Sequence, residues 1–361
     1  MNEDLKARFE PKESKVLKVD RQLSAARFSP CGRFLLAAGH DGLIRRFDAA
    51  AEEMPELKPL AGHHGWVQAL AIHSRKSGDA FTETVYSVDS WGQLRCGSFV
   101  DDTAAPLWSN PNAHNGWIVG IALNASGTLV ATCGIDRAIR VWSAVDGVVK
   151  HEFTNSDWDV LCVAFSPDEK NLVAGDLSGT IRQWDLASGK VVREFNAAEL
   201  HKSDRLQEVG GVRQLGFSPD GQQLICAGTK PKNGGNVQGV PTAITFNWET
   251  GQQVKSIELG KDGDVYVTDL AFHPAGFLML TISGNPGTGK LIFRRIEDDA
   301  PFFETTKMPN CHSLTLHPDQ QRLAVVATNG GSNGNGRNLD KDGKYPGNFS
   351  PIHVWKFPPP S

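Results

Sequence analysis

The clearest pattern of apolar and polar positions lies between Ala113 and Trp142. Trp117-Ile118-Val119-Gly120-Ile121-Ala122-Leu123 is a continuous apolar run. Such a run, bounded by turn residues, predicts a strand buried on both faces. Asn124-Ala125-Ser126-Gly127 is a turn and Leu129-Val130-Ala131-Thr132-Cys133 a second strand. Asp136-Arg137 starts another reversal, and Ile139-Arg140-Val141-Trp142 is a third strand. This segment therefore holds three short antiparallel strands with no helical period between them.

The unit recurs along the chain. Taking the apolar residue before the first turn as a marker gives Phe28, Ile72, Leu123, Phe165, Phe217, Phe272 and Leu316, with gaps of 44, 51, 42, 52, 55 and 44 residues. Several strands per repeat at a period of about 40–45 residues predict a β-propeller, the longer gaps being loop insertions. One blade cannot cover its own apolar faces, so seven must stack in a ring. The expected fold is all-β: seven four-stranded antiparallel blades over residues 16–357. The stretch 1–15 is expected to be a polar N-terminal tail, mobile at its start, and 358–361 a C-terminal tail. The last repeat ends at Trp355 without an outer strand, and Val16-Leu17-Lys18-Val19 alternates like one. Residues 16–19 are therefore expected to close the ring by pairing with the last blade.

The repeats are unequal. Blade two reads as degenerate, with Trp91 where blade three has its turn acid and Gly97 where it has Trp. Blade four has Ser178 at the turn-acid position. Insertions fall at Lys230–Pro241, Gly284–Lys290 and Asn329–Ser350, and the charged segment Ala197–Gly211 between blades four and five reads as a short helix or a loop.

The third strands and repeat starts carry a resemblance. Trp184-Asp185 closes one third strand, Trp142, Trp248 and Trp355 close others, and Phe47-Asp48 is a weaker copy. Gly62-His63 opens a repeat and Ala113-His114 echoes it. Together with the seven turns, the chain resembles the WD-repeat β-propellers over nearly its whole length. Trp158-Asp159 is not the repeat signature, because it precedes a first strand. The resemblance implies a non-catalytic scaffold for a protein or peptide partner. It also implies a hydrogen-bonded chain of His114, Thr132, Asp136 and Trp142, since all four match the family's positions. A His–Asp pair could serve base catalysis, but no nucleophile accompanies it. His63 and Ser87 look like a partial copy of the set that Trp91 breaks.

Composition narrows the picture further. Among 361 residues, 37 are basic and 41 acidic, for a net charge of −4. Neither nucleic acid nor a membrane surface is favoured by that balance. The six cysteines, Cys31, Cys96, Cys133, Cys162, Cys226 and Cys311, are scattered with no C-x-x-C pair. They predict a reducing compartment, hence the cytoplasm. The charged N-terminus has no apolar signal segment. A monomeric ring without cofactor or metal is expected.

Three motifs suggest chemistry that their surroundings do not support. Gly284-Asn-Pro-Gly-Thr-Gly-Lys290 matches the start of a phosphate-binding loop, but Leu291 stands where Ser or Thr is needed and a strand follows instead of a helix. Asn338-x-Asp340-x-Asp342-Gly343 resembles half a calcium loop, with Phe349 where a bidentate Glu is needed. His73, His273 and His317 share one turn position in three blades. Packed sheets stand about 10 Å apart, too far for Zn–N bonds of about 2 Å, so these imidazoles are read as turn ligands.

The functional expectation rests on another set. Trp66, Trp117 and Tyr266 each stand six residues before their marker, at the mouth of the ring where first strands begin. The equivalents elsewhere are Gln22, Asp159, Gly211 and Asn310. The resemblance implies that this narrow face meets partners, and aromatic side chains there suit binding hot spots. The expected partner-binding residues are Trp66, Trp117, Tyr266, Asp159 and His40, which precedes the turn acid Asp41. These rings could instead merely pack between blades. The rival reading is an enzyme, a cytosolic seven-bladed sugar lactonase, which also uses F-S-P-D-G turns such as Phe217–Gly221.

Overall fold

The computed structural model describes residues 2–77, 80–100, 105–154, 156–204, 207–233, 238–284, 287–329 and 349–359. Seven four-stranded antiparallel sheets are arranged as blades of one propeller. Blade three illustrates the order. Ile118–Leu123, Leu129–Gly134, Ile139–Ser143 and Val149–Phe153 pair in sequence from the channel outward. Six first strands share a register shift in the same place, as between Ile118 and Gly120 or Val267 and Asp269. Such an irregularity sharpens local twist, which suits strands converging on a narrow channel.

The residue just before this shift is a constant buried site of the repeat. Leu23, Val67, Ile118, Val160, Val212, Val267 and, in blade seven, Cys311 are each at most 1% exposed. They belong to apolar layers that sandwich neighbouring blades. One layer joins Tyr86, Val88 and Leu94 of blade two to Ile118, Val130 and Trp142 of blade three. At the outer rim, several blades also bind the next one's distal turn. The Trp108 indole donates to the Ala144 carbonyl at 3.0 Å, Arg193 to that of Trp248 at 2.6 Å, and Lys255 to that of Ile296 at 3.2 Å.

The ring closes with a strand from the N-terminus, but upstream of its expected place. The outer strand of blade seven is Lys12–Leu17, paired with Ile352–Lys356 from Lys12 opposite Lys356 to Leu17 opposite Ile352. Only Leu17 in it is buried, so its charged face concealed it from the apolar pattern. Val19 lies beyond the strand, buried in the layer between blades seven and one. Lys15 completes the rim contact by donating to the Glu52 carbonyl at 2.6 Å.

The stretch expected as a polar tail holds a helix and most of the closing strand. Asn2–Phe9 forms an α-helix. Leu5 and Phe9, one turn apart on one helix face, pack onto the layer between blades six and seven. Pro358 and Pro359 form no strand, and residues 360–361 lie outside the described residues.

The segment between blades four and five is neither a plain loop nor an α-helix. A 3-10 turn, Ala198–Leu200, leads into a hairpin of His201–Asp204 and Gln207–Gly210. The blade-five insertion extends a hairpin of Gln223–Asn233 and Gln238–Asn247. In the glycine-rich blade-six segment, Gly289–Arg294 is a strand, and Lys290 pairs with Asp264 at 3.0 Å and Glu304 at 3.1 Å. Its ammonium is thereby committed to carboxylates. The half calcium motif at 338–343 falls outside the described residues.

Candidate functional site

First strands begin at one face of the ring, and the expected residues sit there. The carbonyls of Gln22, Trp66, Trp117 and Asp159 accept from the amides of His40, Ser90, Ile135 and Leu177 at 3.0–3.1 Å. Four successive blades thus hold this position with one backbone bond. Tyr266 opposes Ser283 in the matching register of blade six.

Three of the five residues meet. His40 stacks on Trp66 with centroids 4.8 Å apart and planes 6° apart, and Trp66 meets Trp117 edge-on at 5.6 Å. The row crosses blades one, two and three. Its two indoles pack on each other, yet Trp66 remains 46% and Trp117 41% exposed. His40 is fixed by a 2.9 Å hydrogen bond between Nε2 and Ser24 Oγ. Burial lowers its imidazole below the ordinary value against the opposing pull of Asp41. Tyr266 and Asp159 stand apart from this row. The Arg213 guanidinium lies 4.6 Å from the Tyr266 ring centroid, and Asp159 faces Arg137 at 3.9 Å.

Other apolar groups share this face. Trp91, 69% exposed, lies beside His64 at 6.2 Å. Exposed Ile135 bonds the Trp117 carbonyl through its amide. Trp158 packs on His201 of the inserted hairpin at 5.6 Å. Trp91 departs from the turn acid of blade three and Trp158 precedes a first strand, so repeat matching alone does not mark either as a surface feature. Beneath the rim, Trp117, His40, Arg213 and Tyr266 line a cavity of about 660 Å³ at the channel mouth.

The structural set lies behind this rim. His114 bonds Asp136 through Nδ1 at 2.8 Å and Thr132 Oγ1 through Nε2 at 2.7 Å, and the Trp142 indole donates to Thr132 Oγ1 at 2.9 Å. Burial alone would raise the Asp136 carboxyl, but His114 and Arg140 hold it well below the usual carboxylate range. Every member has a partner, and the one hydroxyl of the set, Thr132 Oγ1, is fully buried between His114 and the Trp142 indole, so the set fixes a geometry.

Blade two has the same device with its acid relocated. His63 bonds Asp89 at 2.9 Å and Ser87 at 2.7 Å, and Asp89 also accepts from the Trp91 and Gln93 amides. Trp91 therefore does not break the set. The carboxylate comes from two residues after Ser87, where blade three has Gly134 opposite Ile118. Blade four makes the same move: Asp176 accepts from Ser156, Ser178 and the Thr180 amide.

The three turn histidines reach across blade boundaries. His317 Nε2 lies 2.7 Å from the Gly32 carbonyl and His273 Nε2 3.4 Å from that of Gln320. A side chain on Gly127 would strike the His73 ring. Each serves a neighbouring turn. Among the described residues, no group of three or more His, Cys, Asp or Glu is arranged to hold a metal ion.

Comparison with known proteins adds to this geometry. The family model described as WD domain, G-beta repeat matches residues 11–48, 106–143 and 147–185. Each match starts with the outer strand of one blade and runs through three strands of the next, and the first includes Lys12–Leu17. Apoptotic protease-activating factor 1 of Homo sapiens is 31% identical over 155 residues, 43% of this chain and 12% of that protein. Transducin beta-like protein 3 of Rattus norvegicus is 32% identical over 130 residues, 36% of this chain and 15% of that protein. Periodic tryptophan protein 2 homolog of Schizosaccharomyces pombe is 26% identical over 165 residues, 40% of this chain and 19% of that protein. The matched segments span less than a fifth of each relative.

Proposed function

Because the chain belongs to the WD-repeat β-propellers, we propose that it is a rigid, non-catalytic platform that captures a protein or peptide partner on the face where its first strands begin. Proteins of this family are typically interaction scaffolds. The observation that carries the reading is the row His40, Trp66, Trp117, held in place by ring contacts while both indoles stay more than 40% exposed. Rigid, half-exposed aromatic rings offer large contact area at little entropic cost, which is how interface hot spots work.

A monomeric ring in the cytoplasm fits the same reading. All six cysteines are free and five are buried, as suits a reducing compartment. The net charge of −4 gives no reason to expect nucleic acid. The test is affinity capture from the native host with the wild-type chain and a Trp66→Ala/Trp117→Ala variant of equal melting temperature. Partners retained by wild type and lost by the variant are expected. Undiminished capture, or lactone hydrolysis by the pure protein, would overturn the reading.

A further inference from the structure

Among the described residues, one cation at the channel mouth, Arg213, has no counter-ion. Arg213 follows buried Val212 at the start of the blade-five first strand and lines the cavity of about 660 Å³. Its guanidinium lies over the Tyr266 ring at 4.6 Å, and its Nε is buried without a hydrogen-bond partner. Among the described residues, no carboxylate lies within ion-pair distance of it. The other charges of the wall are spoken for. Arg27 pairs with Asp269 at 3.1 Å, and Asp269 also accepts from Ser313 and the Leu314 amide. Asp176, near the blade-four end, is held by Arg182, Ser156 and Ser178. Asp159 at the rim faces Arg137.

We propose that this mouth takes an acidic side chain, an Asp or Glu carboxylate carried by an extended segment of a partner protein, with Arg213 as its anchor. The proposal rests on the platform reading and names the partner's chemistry. A guanidinium stacked on an aromatic ring keeps its donor edge free, and that planar fork matches a planar carboxylate. One uncompensated positive charge balances one carboxylate, whereas a phosphate carries −1.5 to −2. A cavity of this size admits a side chain and not a folded domain. Trp117, two blades away on the same cavity wall, offers an apolar surface to the residue beside the acid.

The test is calorimetric titration of the full chain with acetyl-Ala-Leu-Glu-Leu-Ala-amide and with its Gln counterpart. The acidic peptide should bind at least about tenfold more tightly, one charge-assisted pair's worth. Its advantage should shrink as salt is raised. Arg213→Gln should abolish the preference. So should Arg213→Met, which keeps an aliphatic stem on Tyr266 and guards against a folding defect. Equal affinities, no binding of either peptide up to about 5 mM, or a preference that survives both variants would overturn the proposal. A phosphoserine peptide binding more tightly than the Glu peptide would overturn the carboxylate assignment. Partner capture that survives Arg213→Gln but not the tryptophan double variant would sink the acidic anchor and spare the platform. A Glu preference beside capture indifferent to both tryptophans would do the reverse.

Discussion

Phe9, from the N-terminal helix, lies 5.0 Å from Phe277 of blade six, ring centre to ring centre, in a tilted contact. It also meets His273 at 4.9 Å and Phe357, beyond the last strand, at 6.0 Å. One side chain thus joins the first residues of the chain, the segment after its last strand and the neighbouring blade. Phe9→Ala should destabilise the ring by about 3 kcal/mol, the usual cost of emptying a buried aromatic site. Lys6→Ala on the same helix should be silent. Chemical denaturation of both variants checks this, and a silent Phe9→Ala would mean that the helix is not docked in solution.

Closure should matter more than the helix. Removing residues 1–17 strips the blade-seven edge, Ile352–Lys356, of its partner strand. It exposes a row of backbone donors and acceptors open to intermolecular pairing. A fall in melting temperature of about 10 °C or more is expected, with concentration-dependent aggregation. Removing residues 2–9 should lower it by less and leave the oligomeric state unchanged. Light scattering and thermal melts separate the two.

The blade-three set should behave as a unit. Asp136→Asn keeps the size but removes the charge that His114 and Arg140 share. A loss of about 2–3 kcal/mol is expected from leaving buried donors without their acceptor. Thr132→Val should add little to it in a double variant, because both changes break the same chain. Additive losses in equilibrium unfolding would show that the four residues act separately.

The blade count was legible because each repeat restates one apolar run before one turn, and seven copies leave little freedom. One position constant in space was less visible. Leu23, Val67, Ile118, Val160, Val212, Val267 and Cys311 sit five residues before the markers, with Cys among branched aliphatics, so residue type alone does not align them. The blade-two network was misread for a geometric reason. A carboxylate can reach the same imidazole from the strand end, as Asp89 does, or from the turn, as Asp136 does, and sequence spacing treats these as different. The closing strand was hidden by charge, since Lys12–Leu17 buries only Leu17. Arg213 was not legible, because the want of a counter-ion among the described residues is a property of its surroundings in space. The neighbours in question come from other blades.

Exposure separates the tryptophans. Trp142 is 1% exposed and donates into the network, so Trp142→Ala should cost about 3–5 kcal/mol. The half-exposed pair Trp66 and Trp117 should cost less than about 2 kcal/mol together when both become Ala. Denaturant midpoints of the two variants check the ranking. A reversal would mean that the rim rings belong to the core.

His312 gives the channel wall a pH dependence of defined sign. It lines the cavity with Arg213 and His40. Burial pushes its imidazole from the ordinary 6.5 down to about 4, and His40 adds to the shift. Between those values the unfolded chain binds a proton that the folded chain refuses. Stability must therefore fall as pH drops from about 6.5 towards 4, and this contribution levels off below 4, where the folded chain also protonates. The loss from this one group is on the order of 2–3 kcal/mol at pH 4. His312→Asn removes the titration, so the stability difference between wild type and variant should shift in the variant's favour across that window and stay flat above pH 7. Parallel denaturation curves from pH 7 to 4 provide the measurement. A difference that does not change with pH would mean that His312 is already hydrated and titrates as it does in the unfolded chain.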